Sequence, residues 1–492
     1  MSTHLSPPLL RVLRRFRLPR RPRCDVPEPI TIYLLPDDVL VQIFEFYLIT
    51  LHGGRRIERW RLLARVCRRW RSVIFQSPRR LNLRLVCSPK TRARDILDIW
   101  PAFPLVIRDV DDMYVYDSDD ERPGVENILA ALEHTERVCQ IELINSEELG
   151  YLTASEAMQK PFPDLTDLRL AGFGLVLEES IPDSFLGGTT PRLRSLILDR
   201  VAFPGLPKLL LSASSHLIYL YLHDIPRSGH IPPEALATSL TALTNLESLH
   251  LHFRYPRHRL APGSRRPPPL TRSILPRLTK INFKGDSEYL EEILARIDAP
   301  RLNELHITFF NQIIFDTPQL FQFVKQSPTP RAPEKGHIVF NSKVVIVKFL
   351  SHTSNNDVLC IKIPCTASEW QLSSLKQVCS SSLPPVSTLE DLHIFEDQVN
   401  PPRWQDDVEN TLWLELLHPF VAVKNLYLCE ELVPRVAPAL QETVGGRAPE
   451  VLPALEGIFL EGFRPSGPLH KGIEEFLAAR RLTGHPVTVY DW

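Results

Sequence analysis

The sequence predicts an α/β protein, in which a small N-terminal all-α helical module is followed by a long α/β solenoid. Three observations carry this. Apolar residues recur at helical spacing between Leu34 and Phe75, one strand-like phrase returns ten times from Val138 onward, and helical patterns lie between its returns. The 492 residues, 43% of them apolar, suffice for more than one domain or for one domain and a repetitive array. A net charge of −1 argues against a whole-molecule role on nucleic acid or on an anionic membrane. Proline (45) outnumbers glycine (20), which suits many short elements with rigid entries rather than long helices.

Residues 1–29 are expected to form a disordered basic, Pro-rich tail. The stretch RVLRRFRLPRRPR (Arg11 to Arg23) has no acid before Asp25, and Pro7, Pro8, Pro19, Pro22, Pro27 and Pro29 prevent one continuous helix. A nuclear-import patch and a mitochondrial presequence stay open as alternatives for it. No apolar run is long enough to span a bilayer, so no membrane partner is expected. Cys24, Cys67, Cys87, Cys139, Cys360, Cys365, Cys379 and Cys429 are scattered, without a C-x-x-C pair or a His/Cys cluster at zinc-finger spacing. They read as reduced, mostly buried thiols of a cytoplasmic and/or nuclear protein.

Residues 30–80 are expected to form the helical module. In LLPDDVLVQIFEFYL, Pro36 suits a first helical position and Asp37 and Asp38 the dipole-favoured first turn. Val39, Leu40, Ile43, Phe44 and Tyr47 then repeat at three- and four-residue steps. HGGRR breaks the helix. A second helical stretch from about Ile57 to Phe75, with room for one interruption, places Leu63, Val66, Cys67, Trp70 and Ile74 on one face. On that phasing Cys67 and Trp70 point inward as packing residues, and Arg61, Arg65, Arg68, Arg69 and Ser72 point to water. Pro78 closes the unit.

This stretch, LPDDVLVQIFEFYL followed by RWRLLARVCRRWRSVIFQSPRRL, resembles an F-box, the helical module of substrate receptors in SCF-type ubiquitin ligases. The matching points are Leu35 and Pro36, the pair Ile43 and Phe44, and Val66, Cys67 and Trp70. The loop between the helices is longer than the family's usual one. The resemblance implies a Skp-family adaptor as partner, and through it a cullin scaffold. Leu35, Pro36, Leu40, Ile43, Phe44, Leu63 and Val66 would supply the adaptor contact.

Residues 81–492 repeat the phrase L-x-x-L-x-L. It stands at Val138, Leu165, Leu193, Leu217, Leu246, Leu278, Leu302, Leu389, Val423 and Leu455, in steps mostly of 24 to 34 residues. KVVIVKF and DVLCIKI fill the long gap before Leu389 as degenerate strands. Alternation at the end of each phrase marks a half-buried strand. DSEYLEEILARI, with Asp286 or Ser287 as N-cap, and GIEEFLAARRL read as helices between strands. Pro163, Pro191, Pro276 and Pro300 stop one element before the next strand. Parallel strands joined by crossovers at this period give a right-handed solenoid. The array resembles an irregular leucine-rich repeat, although most units lack the family's Asn. F-box, ragged repeats and the closing VTVYDW together resemble the large F-box families of mushroom-forming fungi.

Inside each L-x-L the two outer residues face the core, so the middle one faces the concave side. That row reads Arg169, Ile197, Tyr221, His250, Asn282, His306, His393, Tyr427 and Phe459, with His223 and His252 beside it. Its aromatic and His content suits a protein-binding surface. His250 and His252 have chelating spacing but no third ligand, so no metal is expected. DVDDMYVYDSDDERPG lacks the glycine and terminal Glu of a calcium loop and reads as a solvated acidic loop, with Ser118 in a phosphorylation-like pattern. The Pro/Arg-rich stretches from Arg254 and Gln326 read as exposed loops. No sequence motif assembles a nucleophile with a base, so neither an enzyme nor a cofactor is expected. The expected function is recognition of a protein substrate for an SCF-type ligase, with a leucine-rich-repeat interaction scaffold outside ubiquitin ligases as the alternative. No nucleic-acid partner is expected.

Overall fold

The computed structural model describes residues 32–50, 58–90, 92–109, 125–146, 149–172, 180–213, 215–256, 272–312, 314–327, 333, 335–351, 354–365, 367–404, 410–442, 451–462 and 471–492. The basic tail, most of the acidic stretch after Asp109 with Ser118, and most of the two Pro/Arg-rich stretches lie outside these residues. The chain forms two compact units, one ending at Asp167 and the other running from Leu168 to Trp492.

In the first unit, α1 (Asp37–Thr50) starts after Pro36, whose carbonyl accepts Leu40 N–H at 3.1 Å. Asp37 and Asp38 occupy its first turn, where the free N–H groups favour a carboxylate. Leu40, Val41, Ile43 and Phe44 form its buried face. The expected second helix is two: α2 (Trp60–Ala64) and α3 (Arg68–Gln76). Between them the last turn tightens, with Val66 N–H reaching the Leu63 carbonyl at 3.2 Å. The backbone then extends at Cys67 (φ −158°, ψ 170°), whose Sγ accepts Trp70 N–H at 3.4 Å and so caps α3.

The break resets the helical phase and corrects the expected face. Leu63 and Ile74 are buried, but Val66 is 57% exposed, and Cys67 is a half-buried cap rather than a core residue. Three short strands follow: β1 (Leu85–Cys87), β2 (Leu105–Arg108) and β3 (Val138–Ser146), with β2 parallel to both others. Their crossovers carry helices Ala93–Ile99 and Val125–Leu132, which pack on each other.

The second unit holds β4 (Asp167–Gly172), β5 (Ser195–Asp199), β6 (Tyr219–Ile225), β7 (Ser248–Phe253), β8 (Ser273–Ile274), β9 (Lys280–Gly285), β10 (Ile297–Asp298) and β11 (Glu304–Phe309). β12 (Lys335–Phe340), β13 (Val344–Ser351), β14 (Ser354–Pro364), β15 (Asp391–Glu396), β16 (Asn425–Leu428), β17 (Gly457–Leu460) and β18 (Thr488–Asp491) complete it. All ten phrase positions become strands. The L-x-L leucines and their equivalents are buried, among them Leu196, Leu220, Leu249, Leu305, Leu392 and Leu426.

The main sheet of this unit runs β4-β5-β6-β7-β9-β11-β14-β13-β12-β15-β16-β17-β18, while β8 and β10 pair separately. Helices Leu206–Ser212, Pro233–Thr241, Ser287–Leu294, Pro318–Gln326, Ser368–Ser382, Asn410–Leu417, Val433–Glu442 and Lys471–Leu482 each pack on the next, so they form a second layer. Neighbours also cap one another. The Glu291 carboxylate accepts the N–H groups of Gln319 (2.7 Å) and Leu320 (2.8 Å) at the start of Pro318–Gln326. The Gln312 side chain bonds both Ser287 N–H (3.1 Å) and Ser287 Oγ (2.7 Å), so a distant amide serves the helix start where Asp286 or Ser287 is expected to cap.

Among the described strand pairs from β5 to β18, the parallel array fails at one place. β13 runs antiparallel to β12 and β14, so these three strands enter the sheet in reverse order, β14 beside β11 and β12 beside β15. Connections of two or three residues allow only an antiparallel return, because a parallel crossover needs about a dozen or more. Fully buried Gln371 holds the arrangement together, its Nε2 donating to the carbonyls of Asn341 (2.8 Å) and Cys365 (2.7 Å).

Candidate functional site

Two sites follow from the residues, one in each unit. The helical module is braced by arginines, two of which, Arg61 and Arg69, the unbroken helix would have sent to solvent. Arg69 donates to Asp37 Oδ1 through Nε (3.0 Å) and Nη2 (2.7 Å), and through Nη2 to the Leu35 carbonyl (2.6 Å), which ties α3 to the start of α1. Arg71 Nε donates to the Ala64 carbonyl at 3.0 Å, closing the α2–α3 turn. Arg61 pairs with Glu58 at 2.7 Å and lies over the rings of Trp60 and Trp100. Arg65, Arg68 and Ser72 match the expected exposed face.

Trp60, which the helical phasing did not single out, is the unit's central packing residue. It is 1% exposed, its Nε1 donates to the Arg84 carbonyl at 3.0 Å, and Phe75, Trp100 and Phe103 surround its ring. The signal available was RWRLL, an aromatic between charges whose inward turn depends on where α2 begins.

The seven residues expected at the adaptor contact divide by burial. Leu40 (0%), Phe44 (1%) and Ile43 (6%) are packed inside the unit, and Phe44 lies 4.8 Å from Trp70. Leu35 and Leu63 are each 9% exposed, while Pro36 and Val66 are open. As outward contacts, Leu40, Ile43 and Phe44 are therefore corrected to core residues. Among the described residues, the exposed large apolar side chains of the module are Leu34 (64%), Val66 (57%), Leu62 (55%), Ile49 (55%) and Ile32 (38%). The Arg69–Leu35 bond draws the start of α3 beside the Leu34–Pro36 turn, so Leu34 and Val66 belong to segments that this bond joins.

The second site is the middle-residue row of the sheet. Register joins Ile197, Tyr221, His250, Asn282 and His306 in that order. The reversed strands insert Cys360, Lys348 and His337, and the row resumes with His393, Tyr427 and Phe459 before ending at Tyr490. Arg169 is exposed on β4. Tyr221, His250, His306, His393, Tyr427 and Phe459 are half-buried, and the rings of Tyr221 and His250, and of His393, Tyr427 and Phe459, cover one another. The His393–Tyr427 centroids are 3.9 Å apart, Tyr427–Phe459 4.4 Å and Phe459–Tyr490 4.8 Å, close to the spacing of the strands beneath. Trp492 stands edge-on to this ladder, 5.6 Å from His393 and 5.5 Å from Tyr427.

Burial sets the charge of the histidines. It pushes His393 down to about 4, with His337 adding repulsion. Burial, with His223 and His252 beside it, pushes His250 down to about 3. His223 and His252, stacked at 4.7 Å, are lowered chiefly by the same cause. All four imidazoles are neutral near pH 7, and their Nε2 atoms make no hydrogen bond within the protein. Among the described residues no group of three or more His, Cys, Asp or Glu could hold a metal ion. The seven described cysteines are free thiols, and burial raises Cys87 and Cys429 to about 11 and Cys379 to about 12. Such thiols stay protonated and unreactive. Among the described residues no helix is long and apolar enough to cross a membrane.

A cavity of about 790 Å³ opens over the ladder, lined by His337, His393, Phe395 and Trp492 together with acidic side chains. His337 and Trp492 are missing from the expected row. VTVYDW carried a signal for the second, since it alternates like the end of each phrase, whereas His337 lies on a strand with no phrase at all.

Residues 32–84 match a family model described as F-box-like, a span from the turn before α1 to the residue before β1. The chain therefore has an F-box-like helical region followed by a strand-rich, helix-containing region. No curated protein matches the chain.

Proposed function

We propose that this chain is the non-catalytic substrate-recognition subunit of an SCF-type ubiquitin ligase. The observation that carries the reading is the F-box-like match over residues 32–84, a span of three packed helices in which Leu34 before α1, Leu62 on α2 and Val66 between α2 and α3 are exposed. F-box domains typically bind Skp-family adaptors, and through the adaptor this chain joins a cullin scaffold. Leu35, Pro36, Leu63 and Val66 remain in the adaptor contact, with Leu34 and Leu62 added and Leu40, Ile43 and Phe44 supporting them from behind. Several exposed apolar side chains on so small a module favour a partner over water.

The strand region is read as an irregular leucine-rich-repeat-like solenoid that holds a target protein on its row of aromatic and His residues. Transfer of ubiquitin then needs no active site in this chain. Holding the target near a charged conjugating enzyme raises the effective concentration of its lysines. Free, buried thiols suit the reducing cytoplasm or nucleus.

Co-expression with a Skp-family adaptor and the adaptor-binding part of a cullin tests the reading. Co-elution of all three on size exclusion is the expected result. A chain that elutes apart from the adaptor overturns the reading and leaves the strands as an interaction scaffold outside ubiquitin ligases.

A further inference from the structure

The cavity over the C-terminal half of the sheet joins two features that one chemical group satisfies together. Its floor is aromatic. His393 lies on the stacked ladder, Phe395 is two residues further along the same strand, and Trp492 stands edge-on as a side wall, its plane 63° from the His393 ring. Its charge is acidic. Glu396, Asp397, Glu431 and Glu461 line it against the single ammonium of Lys335. Asp397 is engaged by Asn341 Nδ2 (2.6 Å) and Val399 N–H (2.9 Å), and Glu396 takes the indole N–H of Trp404 on one oxygen.

We propose that this cavity binds an arginine side chain presented by an extended segment of the target protein. A guanidinium is planar, stacks on aromatic faces, and presents a fork of N–H donors that fits a carboxylate. Between a flat wall and carboxylates on the rim it satisfies both at once. A lysine ammonium matches the charge but not the flat wall. Neutral His393 adds no repulsion, since the cavity is occupied near pH 7, where that imidazole is unprotonated. The volume, about 790 Å³, is in the usual range of ligand cavities and takes one long side chain with its flanking backbone. The inference rests on the receptor reading for the source of the peptide. The chemistry of the cavity stands on its own residues.

The experiment is isothermal titration of the full chain with four capped peptides, Gly-Ser-Gly-X-Gly-Ser, in which X is arginine, lysine, citrulline or glutamate. Citrulline keeps the shape of arginine and removes its charge. The expected result is saturable binding of the arginine peptide, about tenfold weaker binding of citrulline, and lysine between them. Glu431→Gln should reduce arginine affinity several-fold and leave the citrulline value unchanged. Equal affinity for arginine and citrulline overturns the proposal, as do preference for an acidic peptide in the same format, absence of saturable binding, and an unchanged arginine affinity in Glu431→Gln. Adaptor binding, measured on the same preparation, reports on the helical module alone. Failure of the peptide arm with the adaptor bound therefore counts against this cavity and not against the receptor reading.

Discussion

Replacing Leu34 and Val66 together by serine separates docking from folding. The two side chains are 64% and 57% exposed, so serine removes little of the unit's internal packing. Fully burying a Leu or Val contributes about 1.5–3 kcal/mol. Covering the exposed half or more of each on docking contributes about 1–1.5 kcal/mol apiece, or about 2–3 kcal/mol for the pair. That corresponds to an adaptor Kd raised about 30- to 150-fold. Calorimetry with purified adaptor reads the Kd, and a denaturant melt of the same variant should stay within about 0.5 kcal/mol of the parent. Phe44→Ala is the contrast. Phe44 is 1% exposed and packed on Trp70, so truncation should cost about 3–5 kcal/mol of stability, and its loss of adaptor binding follows from unfolding. A Leu34→Ser/Val66→Ser variant that folds and binds the adaptor within about threefold of the parent would refute this assignment of the docking residues.

Trp60→Ala, measured by denaturant unfolding, should destabilise the first unit by about 3–5 kcal/mol, since it removes a fully buried indole and leaves the Arg84 carbonyl unpaired. Gly472→Ala places a methyl 2.7 Å from the Ala437 carbonyl oxygen, where helices Val433–Glu442 and Lys471–Leu482 approach, and should lower the stability of the second unit by about 1–3 kcal/mol in the same assay. His393 is held neutral in the fold at about 4 against 6.5 in the free chain, so its NMR titration should show no protonation at pH 6. Between pH 6.5 and about 4 the unfolded chain binds the extra proton, so stability falls as pH drops, by about 1 kcal/mol for this half-buried ring after solvent screening. His393→Asn should lose less over the same window.

The ten strands were legible because L-x-x-L-x-L encodes both a two-residue period and a fixed lead-in leucine, and each copy repeats the message. The order of β12, β13 and β14 was not, because KVVIVKF alternates equally well in a parallel or an antiparallel strand. What decides direction there is the length of two turns and the amide of Gln371, a residue on a later helix. In the helical module, the apolar repeat found α1. The orientation of everything after Leu63 then depended on one helix break, made by a tight turn and by Cys67 capping α3 with its sulfur. That break turns Val66 outward and lets Arg69 reach Asp37 and Leu35. The ladder was half legible. His393, Tyr427 and Phe459 stand at the expected middle positions, whereas His337 and Tyr490 join them only through strand register.

Hydrogen–deuterium exchange on the full chain, with and without a recombinant Skp-family adaptor, tests whether residues 32–84 dock the adaptor. Slowed exchange is expected within residues 32–84, centred on the Leu34–Pro36 turn and the α2–α3 segment, with the strand region unchanged. Protection confined to the strand face, or none anywhere at saturating adaptor, would contradict it.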